Sequence, residues 1–232
     1  MTKINSHKIE STSLSRHVIR QLGSLYGALG SRGRLLNAAT ERAIIRFIPI
    51  SRAVKTFKND HFDHLNTLQY ATIIYLIGNE IWREDSKSDL VAMTFGLNKA
   101  LHSVDIFPSV ILPEIFFISH GIGSVLGNAQ YGNRLVVFQN VTVGRIGENR
   151  PVIGDNVVLF PGSSVTGRST IGNRSAVAAG THVHNMTIAD DSVVSMSPTG
   201  LSVSPRSRSY LSLYISDESD LSRAASIAGG HD

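Results

Sequence analysis

Between Ile153 and Val194 the chain repeats every six residues. Written in sixes, it reads IGDNVV, LFPGSS, VTGRST, IGNRSA, VAAGTH, VHNMTI and ADDSVV. The first position is Ile153, Leu159, Val165, Ile171, Val177, Val183 and Ala189. The fifth is Val157, Ser163, Ser169, Ser175, Thr181, Thr187 and Val193, small or β-branched throughout. A period of six matches neither the 3.6 of a helix nor the 2.0 of a single long strand. It fits short strands joined by corners, three to a coil, with each first position pointing inward, which is a triangular β-solenoid. The same frame runs upstream through VLGNAQ, YGNRLV and VFQNVT, with first positions at Val125, Tyr131 and Val137 and then at Val143. Ten residues separate Val143 from Ile153, so four extra residues in GRIGENRPV are expected as a loop.

The first hundred residues carry the helical period instead. Leu14, Val18, Leu22, Leu25 and Leu29 form one apolar stripe. RLLNAATERAIIRFIP is a second predicted helix, stopped by Pro49. LNTLQYATIIYLIGNEIW and SDLVAMTFGLNKALH are a third and a fourth, the last capped by Ser88 or Asp89. The expected organisation is a helical N-terminal domain over 1–104, a solenoid over 105–205 and a tail over 206–232, with a short helix and a frayed end. The fold class is mainly β, preceded by an α-helical domain.

Charge is divided unevenly. Residues 1–58 hold eleven Lys and Arg against Glu10 and Glu41, about +9, and the remainder is about −5. A basic helical arm suits a solvated face, peripheral contact with a membrane surface, or an anionic partner. Nucleic acid is not expected, because no recognition motif accompanies the charge. There is no cysteine, which excludes thiolate nucleophiles and disulfides. No run approaches the roughly eighteen apolar residues of a membrane span, and the N-terminus lacks a signal-peptide core, so a cytoplasmic location is expected.

Chemistry concentrates in a few short stretches. FFISHGIGSVLG places His120 alone among apolar and glycine residues, fifteen residues after Asp105. That spacing is a little under one eighteen-residue coil and brings the two onto adjacent rungs. A neutral imidazole can take the proton of a hydroxyl as it attacks, and a carboxylate on the other ring nitrogen fixes the tautomer. HFDH at 61–64 reads as a solvated turn. HVH at 182–184 offers two histidines on one strand face, short of the three or four ligands that zinc needs, so no metal is expected.

The stretches DIFP (105–108), HGIGSVLG (120–127), QNVTVG (139–144) and RPVIG (150–154) resemble the catalytic domain of the serine acetyltransferases, hexapeptide-repeat proteins with a left-handed parallel β-helix. The resemblance implies acetyl-CoA as co-substrate, His120 as general base and Asp105 as its orienter. It also implies a homotrimer, or a dimer of trimers, with active sites between subunits. Gly144, Pro161, Gly162, Ala179 and Gly180 correspond to the groove that holds the pantetheine arm, with Arg168 and Arg206 as candidates for the phosphates. Acceptor-binding candidates are Ser119, Gln139, Arg145, Asn149 and Arg150. Four of the family's positions differ: Ser119 replaces an Asp that holds serine, Asn149-Arg150 replaces an Arg-His pair, Phe107 replaces a His, and Arg145 replaces a Gly. These departures lead to the expectation of the same reaction on another acceptor, a sugar hydroxyl in a surface polysaccharide or its precursor. Serine is the first alternative. A non-catalytic scaffold or a metal-dependent lyase is the alternative of another class.

Overall fold

The computed structural model describes residues 2–3, 11–57 and 61–216. Four helices come first: α1 Ser11–Tyr26, α2 Gly33–Ala53, α3 Thr67–Glu84 and α4 Asp89–His102. Helix α3 is the centre of the bundle, because every residue from Gln69 to Ile81 is buried. A helix covered on all sides loses the one-sided pattern of a surface helix. Its start is fixed by Asn66, whose side chain accepts from the backbone N–H groups of Leu68 and Gln69. Ser88 caps α4 in the same way, accepting from Leu90.

Two helical expectations are corrected. Helix α2 runs through Pro49 to Ala53. The missing N–H and ring clash cost about 3 kcal/mol. Ile50, Ala53 and Val54, all 1% exposed or less, continue into the core and offset that cost. Leu25 does not belong to the buried stripe of α1. It is 51% exposed, because the bundle covers only the face of Leu14, Val18 and Leu22.

The basic excess is partly neutralised inside the bundle. Arg32 pairs with Asp89 at 2.7 Å, and Arg42 Nε meets Glu80 at 3.0 Å while its other end reaches Glu84. Arg46 meets Glu80 at 2.6 Å. These cations face acids of α3 and α4. Lys3, Lys8, Glu10 and Lys58 contribute no described side chain, and the tail beyond 216 lies outside the described residues.

The second half is a left-handed parallel β-helix of about four coils. Its first sheet stacks Phe116–Ile118, Leu135–Val137, Val158–Leu159, Ala176–Val177 and Ser192–Ser197. An antiparallel strand, Gly200–Pro205, closes its end. The second sheet stacks Val125–Leu126, Thr142–Gly144, Ser164–Thr166 and His182–His184; the third stacks Gln130–Tyr131, Val152–Ile153, Thr170–Ile171 and Thr187–Ile188. Val143 pairs with Val165 and Ile153 with Ile171, so the ten-residue gap is absorbed by a loop between the second and third sheets.

The six-residue frame holds in the middle and slips at both ends. Val125 is 38% exposed, and Leu126 points inward in its place. Ala189 is exposed, and Ile188 and Val194 take the inward positions. In both coils only five residues, rather than six, separate consecutive inward positions (Leu126 to Tyr131, Val183 to Ile188). A corner one residue shorter is what keeps the apolar side chains inside, since an uncorrected slip would turn every side chain outward. Thr187 is exposed for the same reason, and Ser192 is buried instead.

The corner between the third and first sheets needs glycine for space. A Cβ on Gly132 would lie 2.3 Å from the backbone carbon of Gly154, and one on Gly172 would lie 2.4 Å from the nitrogen of Asp190. The next residues form a ladder: Asn133 N–H donates to Asp155, Asp155 N–H to Asn173, and Asn173 N–H to Asp190.

The two halves are tied through α3. The Tyr75 hydroxyl donates to Val110 O at 2.8 Å and accepts from Leu112 N–H at 3.0 Å, and Asn79 donates to Pro108 O at 2.7 Å. Burial pushes the Tyr75 phenol up to about 12, so it stays protonated and can fill both roles. The tail supplies a second tie. It makes one 3₁₀ turn, Leu211–Leu213, packs Tyr210 edge-on against Phe160 and Tyr214 edge-on against Phe138, and then bonds Ser216 N–H to Ala53 O at 2.8 Å.

Candidate active site

Strand register decides which side chains share an edge of the prism. Ile118, Val137, Leu159 and Val177 lie in one column of the first sheet. Two residues further along the upper coils come Gln139, Pro161 and Ala179, one above another. In the first coil Asn140 N–H bonds Ile122 O as Gly162 N–H bonds Gln139 O, which puts Ile122 beneath Gln139 and His120 in the extra turn before it. The corner of the first coil is two residues longer than those above it, running from Ser119 to Ser124 where the second runs from Phe138 to Val141. His120 sits in this longer corner with φ at +51°, and Ile122 N–H turns back to His120 O at 2.6 Å. Left-handed backbone at a non-glycine residue is tolerated where the surroundings impose it and is frequent at working sites.

The turned-out corner gives His120 an exposed ring beside a cleft of about 260 Å³ between the corner, the start of α3 and the end of α4. Its walls include Thr67, Leu68, His102, Ser103 and Ile122. Among the described residues no Lys, Arg, Asp or Glu lines it. His102 had no assigned role in the sequence. The readable signal is Asn98, four residues earlier on the same helix face, whose Oδ1 lies 2.9 Å from His102 Nδ1.

The other candidates fall in several places. Asp105 is bridged to Val125, one coil below the second sheet, but the expected bond to His120 is not made here. Its Oδ2 is 2.6 Å from Lys99 Nζ. Ser119 is buried beneath the corner and does not line the cleft. Phe107 packs edge-on against Trp82 and Phe95, part of an aromatic cluster rather than of the cleft. Gln139 lies above Ile122 at the same edge, with its Oε1 buried and without a hydrogen bond among the described residues. Arg145, Asn149 and Arg150 belong to the exposed loop, which Ile146 and Asn149 close through two backbone bonds around Gly147. That loop follows strand Thr142–Gly144, at the far edge of the second sheet from His120. Three residues of strand alone separate the edges by about 10 Å.

The candidate cofactor residues do not form one patch in a single chain. Pro161, Gly162, Ala179 and Gly180 continue the His120 edge upward, and Gly162 and Gly180 have φ of +69° and +66°. A Cβ on Gly180 would meet nothing within 4 Å, so its glycine answers to the backbone angle and leaves the edge open. Gly144 and exposed Arg168 lie toward the opposite edge of the second sheet. Arg206 lies at the third edge, where it donates to Asp191 at 3.0 Å with its Nε buried and unbonded among the described residues. His182 and His184 share the outer face of their strand, bonded through Nδ1 to Ser164 at 2.8 Å and Thr166 at 3.0 Å. Among the described residues no group of three or more His, Asp or Glu is placed to hold a metal ion, and no helix is long and apolar enough to cross a membrane.

No family model matches the chain. It is similar to the serine acetyltransferase of Bacillus subtilis, 36% identical over 85 residues, which are 34% of this chain and 39% of that protein. It is 29% identical to the serine acetyltransferase of Staphylococcus xylosus over 130 residues, 54% and 60% of the two chains. The chain thus spans between about two-fifths and three-fifths of these relatives. Among solved structures it superposes on the serine acetyltransferase of Neisseria gonorrhoeae with a TM-score of 0.68 at 20% identity, covering 88% of this chain and 81% of that one. It superposes on isoform 3 from Entamoeba histolytica, in complex with cysteine, with a TM-score of 0.61 at 21% identity, covering 87% and 75%. The structural likeness shows the fold, and the sequence likeness to serine acetyltransferases extends over about a third to a half of this chain.

Proposed function

We propose that this protein transfers an acetyl group from acetyl-CoA to the hydroxyl of a serine-like hydroxy amino acid. The observation that carries the reading is His120, turned out of the solenoid by a longer corner and exposed beside a cleft. His120 takes the hydroxyl proton as the oxygen attacks the thioester carbonyl. The C–O bond forms, the C–S bond breaks, and the proton passes from His120 to the departing thiolate. As the ring becomes imidazolium it draws Asp105 away from Lys99. The pantetheine arm runs along the open edge above His120, past Gln139, Pro161 and Ala179.

The loop of Arg145 and Arg150 lies at the wrong edge to serve the same chain's cleft, so a neighbouring copy supplies it. This arrangement favours a cyclic trimer. The sugar acceptor suggested by the departures at Ser119 and Asn149-Arg150 gains nothing from the relatives, which are named serine acetyltransferases.

Thiol release from acetyl-CoA, followed with L-serine and with a panel of sugars, tests the reading. Serine should turn over, and His120→Ala should lower kcat/KM by about 10²–10⁴-fold without shifting the unfolding midpoint. No release with serine, or a His120→Ala variant as fast as the parent, would refute it.

A further inference from the structure

The cleft holds a second histidine whose protonation pattern is fixed by its neighbours. Asn98 Nδ2 donates to Ala71 O at 3.1 Å, which settles the orientation of the Asn98 amide. Its Oδ1 therefore faces His102 Nδ1 at 2.9 Å as an acceptor, so Nδ1 carries the proton. In the neutral ring Nε2 is then a bare lone pair. Burial holds His102 below its usual range and keeps it neutral. Tyr70 packs edge-on against the ring at 5.6 Å, which resists its turning over. Among the described residues nothing bonds Nε2, and His102 borders the same cleft as His120.

We propose that His102 is an acceptor-binding residue: its Nε2 takes a hydrogen bond from a second donor group, amino or hydroxyl, on the molecule whose hydroxyl His120 deprotonates. The inference rests on the reading above for the reaction but names a determinant of which acceptor is chosen. The ring cannot donate on that side, so it selects for N–H or O–H and against a carboxylate. The remaining polar side chains of the cleft, Thr67 and Ser103, are hydroxyls that accept or donate and impose no such sign. Among the described lining residues an ammonium group next to the reacting hydroxyl has no carboxylate to meet, and the Asn98 bond to Nδ1 leaves the lone pair of His102 Nε2 unused.

The test compares His102→Phe, which keeps the ring packing against Tyr70 and loses the acceptor, with His102→Gln, which restores an acceptor oxygen. Acceptors are L-serine, glycerate (hydroxyl in place of the amine) and 3-hydroxypropionate (neither). His102→Phe should raise KM for serine about 10- to 100-fold, leave KM for acetyl-CoA unchanged and leave 3-hydroxypropionate as poor as with the parent; His102→Gln should recover part of the loss. A matching effect on glycerate identifies the hydroxyl as an equivalent donor, and its absence assigns the role to the amine. Equal losses for all three acceptors, or none, would overturn the proposal. Nitrogen NMR of histidine-labelled protein reads the same claim without turnover. His102 should show a protonated Nδ1 and a bare Nε2 whose signal moves when serine is added. The opposite tautomer, or an unmoved signal at saturating serine, overturns the role of His102 even if the enzyme acetylates serine. The expected NMR shift with no thiol release would instead refute only the reaction.

Discussion

The two halves of the chain bury polar groups by opposite means. The solenoid buries small hydroxyls at repeated positions, Ser163, Ser169, Ser175 and Thr181. Ser169 donates to Thr166 O at 2.7 Å and Ser175 to Ala189 O at 3.0 Å, Thr181 accepts from Met196 N–H at 3.1 Å, and Ser163 Oγ has no partner among the described residues. The helical half, besides hydroxyls such as Thr40 and Thr94 bonded within their own helix, buries large groups once each. Glu80 is held by Arg42 and Arg46, Asn79 by Arg46 and Pro108, and Asn98 by Ala71 and His102. Repetition spreads the cost of polar burial over many cheap bonds. The singular arrangement concentrates it in a few bonds that fail badly when one partner is lost.

The largest test of that contrast is Glu80→Gln. Only 7% of the Glu80 side chain is exposed, so the substitution leaves Arg42 and Arg46 facing a neutral amide. Loss of one partner from a fully buried pair costs about 3–5 kcal/mol. Both arginines retain solvent, so about 3 kcal/mol is expected here. Ser169→Ala in the solenoid should cost about 1 kcal/mol, one ordinary hydrogen bond to Thr166 O, the contacts to Val183 O and Met186 N–H being long at 3.4 Å. Urea unfolding of both variants checks the ratio. Equal losses would mean that the helical half is as forgiving as the solenoid.

This difference also explains what the sequence revealed. Inward positions such as Val165, Ile171 and Val177 could be read directly, because every coil poses the same packing problem. The shortened corners that place Leu126 and Ile188 inside were missed, since Val125 and Ala189 satisfy the six-residue count equally well. Helix α3 could be located, but nothing in its own stretch of sequence marks the roles of Glu80 and Asn79, because their partners lie on α2 and in the 108–110 segment. At the site, His120 was marked by its surroundings. The pairing of Asp105 with Lys99 was not, because it depends on how α4 ends against the first coil. His102 was hidden for the same reason: its meaning comes from Asn98 and Ala71 together.

Glycine sharpens the comparison at the next scale down. Gly172→Ala puts a Cβ 2.4 Å from the Asp190 nitrogen and 2.5 Å from the Ala189 carbon, both backbone atoms of the next coil. Neither can move without the ladder, and a loss of about 1–3 kcal/mol is expected. Gly23→Ala, within α1, meets nothing within 4 Å and should stabilise by about 0.5–1 kcal/mol. Thermal unfolding reads both signs. If Gly172→Ala were neutral, the coils would be looser than their stacking distances indicate.

The smallest expected effect is on pH dependence, and it too divides the halves. His17 and His102, both in the helical half, are held below the ordinary value of 6.5; burial is the main cause at both, with His64 and Arg20 adding at His17. A histidine whose folded pKa is depressed binds protons more readily when unfolded. Its contribution to stability is therefore complete above 6.5 and falls as pH drops from there toward the folded value. Between about pH 7.5 and 5.5 most carboxylates remain ionised and do not confuse the reading. Hydrogen exchange over that range should show protection falling in α1, α3 and α4 more than in strands Val158–Leu159 and Ala176–Val177. His102→Phe, which removes one of the two titrating rings, should flatten the slope in α4. An unchanged slope in that variant would mean that the Asn98 bond, and not the neutral state of the ring, is what α4 requires, because the bond alone survives protonation at Nε2.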